Sequence, residues 1–142
     1  MPRYLLDVNV LLALFDPSHP RHNDCHEWIS TQGSFAWASC PMSENGFARV
    51  ISNPKYPGIE TTPSDALAYL SKFVASSDHT FWPDSISLRE FNLSRFSPKQ
   101  ITDAYFVLLA FNNQGILATL DKRLINAREN TPQADHIELI SD

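Results

Sequence analysis

Residues 4–15 read YLLDVNVLLALF, and this stretch decides the fold. Tyr4–Leu6 has the length and apolarity of a buried strand, and Val8–Phe15 those of an apolar helix, with a single carboxylate, Asp7, at the junction. The same alternation continues along the chain. Strands separated by helices require right-handed crossovers, which give a mostly parallel sheet covered by helices on both faces. In such a sheet, ligands bind beyond the carboxyl ends of the strands, where Asp7 stands.

Working outward, His22–Ser30 spaces Cys25, Trp28 and Ile29 as a helix does, and Phe35–Ala38 reads as a second strand. Pro41 suits the first position of a helix carrying Phe47, Val50 and Ile51. Residues 53–58, NPKYPG, are a loop by composition. Thr62, Pro63 and Asp65 supply an N-cap, an N1 proline and an acidic third position for a helix with the stripe Ala66, Leu67, Leu70, Phe73 and Val74. Thr80–Trp82 is a third strand, and a short helix is expected after Asp84. Ser97 and Gln100 frame a capping box for a helix running to about Asn113, ended by Gly115. Ile116–Leu120, a helix over Asp121–Glu129 and a closing strand Ile137–Ile140 complete an α/β chain with about five strands.

A chain of 142 residues fits one domain, 1–142, with a core large enough to need no staples. Hydrophobic residues make up 43% and charged residues 19%, which excludes a disordered chain. Cys25 and Cys40 form no closely spaced pair and read as buried thiols of a reducing compartment. The N-terminus shows no leader pattern and no apolar run is long enough to span a bilayer, so the expected location is cytoplasmic, with no membrane partner. A net charge of −5 argues against nucleic acid at first sight, but two bound divalent cations would bring it to −5 + 4 = −1.

Four acids lie at the edges of apolar segments: Asp7, Glu44, Asp103 and Asp121. Asp7 and Asp121 each follow a strand and precede a helix, so each is open to a plain capping role. Glu44 lies in a first helical turn, where it would complement the dipole, yet shares its face with Phe47, Ala48 and Ile51. Asp103, more than a turn inside a helix beginning at Ser97, aligns with Phe106, Val107 and Ala110 and has no capping role. Few of the eleven Lys and Arg residues are near any of them in sequence. Buried carboxylates without cationic side chains call for a hard divalent ion held by oxygen.

The pattern resembles the PIN-domain ribonucleases, and within them the VapC-like toxins. The resemblance rests on residues 5–14 (LLDVNVLLAL), 43–50 (SENGFARV), 53–58 (NPKYPG), 81–84 (FWPD), 102–105 (TDAY) and 119–121 (TLD). It implies a three-layer α/β/α fold and a metal-dependent endoribonuclease. The family's acidic quartet maps onto Asp7, Glu44, Asp103 and Asp121, with Asn9 and Thr119 in support. It also implies Mg²⁺ or Mn²⁺, one or two ions, an RNA substrate, a cognate antitoxin and homodimerisation through helices. Where some relatives carry a further acid, Lys122 and Arg123 stand here.

Two ions roughly 3.5–4 Å apart can activate water and hold the leaving oxygen of a phosphodiester. Arg49, Lys55, Lys122 and Arg123 are candidates for phosphate contacts or, equally simply, solvated charges. Tyr56 and Trp82 either stack on bases or pack loops. His19, His22, Cys25 and His26 hint at zinc but lack a completing pair of ligands, and packing explains them as well. The competing class is a catalytically silent PIN-fold module that binds RNA or protein. A phosphatase would want an acid at Asn9, and a receiver domain a late Lys that is not evident.

Overall fold

The computed structural model describes residues 2–128 and 133–141. The chain runs β1 (Arg3–Leu6), α1 (Val8–Phe15), α2 (His22–Ser30), β2 (Ala36–Ser39), α3 (Pro41–Ile51), α4 (Pro63–Ala75), β3 (Asp78–Phe81), α5 (Ile101–Asn112), β4 (Ile116–Thr119), α6 (Lys122–Arg128) and β5 (Ile137–Leu139). Every strand pairing is parallel, in the order β3-β2-β1-β4-β5. β1 is central, and the chain winds from it first to one side and then to the other. The reversal falls between β1 and β4, which opens a crevice at their carboxyl ends.

Alternation along the strands separates two cores. Tyr4, Leu6, Trp37 and Ala118 pack with α1, α2, α3 and α4. Leu5, Ala38 and Leu117 face the other way, onto Phe106, Leu109 and Ala110 of α5 and Leu124 of α6. The result is the expected three-layer α/β/α arrangement, with a sheet that is wholly rather than mostly parallel. Among the described residues no helix is long and apolar enough to cross a membrane.

Thr62 caps α4 by accepting from the Asp65 N–H at 3.1 Å, and Pro41 opens α3, both as read from sequence. Other boundaries differ. The capping box at Ser97 is present, but it closes a 3₁₀ turn over Pro98–Gln100, and α5 starts only at Ile101. Asp103 therefore lies in the first turn of α5, where a carboxylate also complements the helix dipole. The helix expected after Asp84 is a single 3₁₀ turn, Leu88–Glu90. β3 starts two residues earlier than read and stops at Phe81, with Trp82 N–H still donating to Ser39 O at 2.8 Å. Glu129, the expected end of α6, lies outside the described residues.

α5 ends in a Schellman motif whose left-handed residue is Gln114 (φ 58°), not Gly115. Gly115 N–H returns to Ala110 O at 2.8 Å and Gln114 N–H to Phe111 O at 3.1 Å. Glycine is needed at 115 for a different reason. A Cβ there would stand 2.7 Å from Arg3 O and 2.5 Å from the Trp82 ring. Trp82 is thus a core residue, and Tyr56 is engaged too, its hydroxyl donating to Asp16 Oδ2 at 2.7 Å. Both aromatics pack loops.

The histidines of α2 close the carboxyl end of α1. His22 Nδ1 bonds Ala13 O at 2.7 Å and His26 Nε2 bonds Leu14 O at 3.0 Å, and a carbonyl only accepts, so both rings donate. His19 Nδ1 accepts from Arg21 N–H at 3.0 Å, and burial pushes the Cys25 thiol up to about 11. These are helix-end contacts rather than zinc ligands.

Candidate active site

Asp7 sits where β1 hands over to α1, its own N–H still bound to Ala118 O of β4 at 3.1 Å. Its backbone carbonyl accepts from Val10 and Leu11, so it is the N-cap of α1. Its side chain is only in part a cap. Oδ1 accepts from Val8 N–H at 2.7 Å, and Oδ2 from the Thr119 hydroxyl at 2.8 Å. The residue is 5% exposed. Burial above all, and then the charge of Asp103, push its pKa up to about 6; the bonds from Thr119 and Val8 pull the other way.

Asp103 projects from α5, half-buried, and its carboxyl is raised by burial and by Asp121. Asp121 follows β4, with its N–H bonded to Thr119 Oγ1 at 3.0 Å. Its carboxylate takes Arg123 Nε at 3.1 Å and Arg123 N–H at 2.9 Å, and these hydrogen bonds from Arg123 hold its pKa below the ordinary value. The fold thus brings Asp7, Asp103 and Asp121 into one electrostatic group at the reversal between β1 and β4.

Glu44 lies on the first turn of α3. Its Oε2 accepts from Ser39 Oγ at 2.6 Å, and the charge it exerts is felt by His79. Gly46, two residues on, lets α3 approach α1: a Cβ there would lie 2.7 Å from Val8 Cγ2. Glu44, Asn45, Arg49 and Asn53 line an open groove between α3 and α4. Asn9, Lys55 and Lys122 are exposed, and Arg123 is mostly solvent-facing even while it holds Asp121. Thr119 is fully buried and joins the Asp7 side chain to the Asp121 backbone.

The model of the PIN domain family matches residues 4–130. The chain belongs to the PIN-domain family. Among similar proteins, Ribonuclease VapC44 of Mycobacterium tuberculosis (strain ATCC 25618 / H37Rv) is 41% identical over 126 residues, covering 86% of this chain and 88% of that protein. Ribonuclease VapC39 of the same strain is 35% identical over 127 residues, 87% of this chain and 91% of its own length. Ribonuclease VapC38, also of that strain, is 33% identical over 138 residues, covering 96% and 97%. The VapC-like resemblance read from the motifs holds along nearly the whole PIN domain.

Does this PIN domain suit a metal ion? Among the described residues no group of three or more Asp, Glu, His or Cys side chains is posed so as to hold one. The donor set is nevertheless all oxygen, which favours Mg²⁺ or Mn²⁺ over zinc. A carboxylate as buried as Asp7, raised further by a like-charged neighbour, is one whose charged form an opposite charge would stabilise, in competition with the proton it otherwise holds. The chemistry of these oxygens suits such an ion, although they are not gathered around one, and Asp121 would have to exchange Arg123 for it.

Sequence reading missed three polar residues. Ser39 and His79 contact Glu44 directly or through one atom, and Asp16 is, with Asp7, a second acid with almost no exposure, 4%. Ser39 had a faint signal, a hydroxyl at a strand end shortly before Glu44. His79 had none, because its partner lies 40 residues away.

Proposed function

We propose that this PIN domain is a metal-dependent endoribonuclease that hydrolyses RNA phosphodiester bonds and acts as the toxin of a toxin–antitoxin pair in the cytoplasm. The observation that carries the reading is the convergence of Asp7, Asp103 and Asp121 at the reversal between β1 and β4, with Asp7 buried and raised to about 6. The names of the relatives, all Ribonuclease VapC, support the same chemistry.

Asp7, Asp103, Asp121 and Glu44 would hold one or two Mg²⁺ or Mn²⁺ ions. When bound, such ions supply a polarised water and charge relief on the phosphate and the leaving oxygen. The protein's part is positional. Val8 N–H and Thr119 hydroxyl each fix one oxygen of Asp7, which sets the plane of that carboxylate. Thr119 at the same time sets the backbone of Asp121. Asn9, exposed on the first turn of α1, is within the same strand-end region and would meet substrate or a ligand carboxylate. Arg49, Lys55, Lys122 and Arg123 are exposed cations suited to the RNA backbone, Arg49 in the groove that also contains Glu44. For protein partners, an antitoxin or a second copy, the exposed Leu67 and Tyr69 on different faces of α4 offer apolar contact points.

The test is cleavage of a pool of small cellular RNAs by purified, antitoxin-free protein with Mg²⁺, Mn²⁺ or EDTA, beside Asp103→Ala. Discrete products that require metal and vanish in the variant are expected. No metal-dependent cleavage would favour the silent binding module instead.

A further inference from the structure

Glu44 is tied to His79 through a single oxygen atom. Ser39 ends β2 and is fully buried, with Oγ 2.6 Å from Glu44 Oε2 and 2.7 Å from His79 Nε2. A hydroxyl owns one proton, and an ionised carboxylate can only accept. The Ser39 proton therefore points to Glu44, and the lone pair left on Oγ must receive a proton from His79 Nε2. The chain has one direction: His79 Nε2–H to Ser39 Oγ–H to Glu44.

The histidine end is itself held in place. Parallel pairing sets Trp37 opposite His79, so both rings and Ser39 share one face of the sheet. The His79 ring lies against Trp37, centroids 4.4 Å apart at 59°, and Trp37 Nε1–H is bonded to Ser77 Oγ at 2.8 Å. Burial holds the His79 pKa below its ordinary value, and the free lone pair of Ser39 Oγ draws the single proton of the neutral ring to Nε2. β3 is already joined to β2 over residues 36–39 and 78–81, so the strand needs no extra polar tie to α3. What the chain adds is a fixed orientation for one carboxylate.

We infer that Ser39 and His79 are positioning residues that lock the rotamer of Glu44 for cation binding. The inference rests on the nuclease reading above. Hydroxyl-to-carboxylate bonds are short and directional, and losing a partner that orients a metal-binding carboxylate typically costs about tenfold to a hundredfold in affinity.

The experiment measures Mn²⁺ affinity by calorimetry, and kcat and KM for RNA cleavage, in the wild type, Asp103→Ala, Ser39→Ala, His79→Leu and His79→Gln. Thermal melts accompany each protein. Ser39→Ala and His79→Leu should bind Mn²⁺ about tenfold to a hundredfold more weakly and lose kcat with little change in KM. His79→Gln keeps an N–H donor near the place of Nε2 and should recover most of both. Wild-type behaviour of His79→Leu, or a Gln variant no better than Leu, overturns the inference. If the wild type and Asp103→Ala bind Mn²⁺ alike, the nuclease reading itself fails. Should a variant not fold, nitrogen NMR of wild-type His79 decides: the Nε2–H tautomer supports the chain and the Nδ1–H tautomer removes it.

Discussion

Thr119 Oγ1 donates to Asp7 Oδ2 at 2.8 Å, across the boundary between β4 and β1. The same oxygen accepts the Asp121 N–H at 3.0 Å. One buried hydroxyl thus links two acids that are far apart in sequence, and adjacent parallel strands are the reason it can.

The pH dependence of this group has a definite sign. The folded pKa of Asp7, about 6, lies above its ordinary 3.8, so the metal-free fold holds a proton that the unfolded chain has already released. The stability this contributes is complete below pH 3.8 and is lost as pH rises through about 6. A cation competes for the same carboxylate, so Mn²⁺ affinity should climb across that window and level off above it. Calorimetric titrations from about pH 5 to about pH 7.5 would read the climb. Asp7→Asn should flatten it while raising the metal-free melting temperature, and Thr119→Val should move its midpoint upward. A flat profile in the wild type would contradict the assignment.

Arg123 and a cation want the same oxygens of Asp121. The guanidinium is highly exposed, so its hold is weak and its removal is a small perturbation. Arg123→Ala should tighten Mn²⁺ binding by about two- to fivefold. If the arginine also meets phosphate, KM for RNA should rise at the same time. Weaker Mn²⁺ binding in the variant would mean that Arg123 organises the site instead of competing for it.

Tyr56 is a stability residue on this structure. Removing its hydroxyl strips the donor from Oδ2 of Asp16, a carboxylate 4% exposed whose other oxygen takes Ser18 N–H at 2.9 Å. Tyr56→Phe should cost about 1–3 kcal/mol in urea denaturation. Cleavage per folded molecule should stay near the wild-type rate. A large fall in kcat without a fall in stability would return Tyr56 to the RNA-stacking role.

Gly46 sets two opposing effects against each other. Alanine is the better helix residue by about 1 kcal/mol, but its Cβ would meet the stiff Val8 side chain at 2.7 Å. Overpacking at about 1–3 kcal/mol wins, so Gly46→Ala should be destabilising overall. Combining it with Val8→Ala should show a favourable coupling above about 0.5 kcal/mol in a double-mutant cycle.

Much of the plan was legible because it rests on short-range pattern. Tyr4–Leu6, Asp7 and Val8–Phe15 announce strand, strand-end acid and helix within a few residues, and the same holds for Ile116–Thr119 and Asp121. Asp103 was placed in the right helix but at the wrong depth, since a capping box marks the onset of a helical turn and not whether it is 3₁₀ or α. Gly115 was read as a helix stop when its role is to let Trp82 and Arg3 O come close, a contact that no local pattern encodes.

The sequence by itself determined the alternation of strands and helices, the parallel sheet that follows from it, and which acids end up at strand ends. These follow from hydrophobic period and backbone chirality, which act over a few residues. Only the tertiary structure decided that β4 lies beside β1, so that Thr119 reaches Asp7, and that β3 lies beside β2, so that His79 reaches Ser39 and through it Glu44. Hydrogen bonds form between atoms about 3 Å apart whatever their distance along the chain, and strand order, not local sequence, sets that proximity.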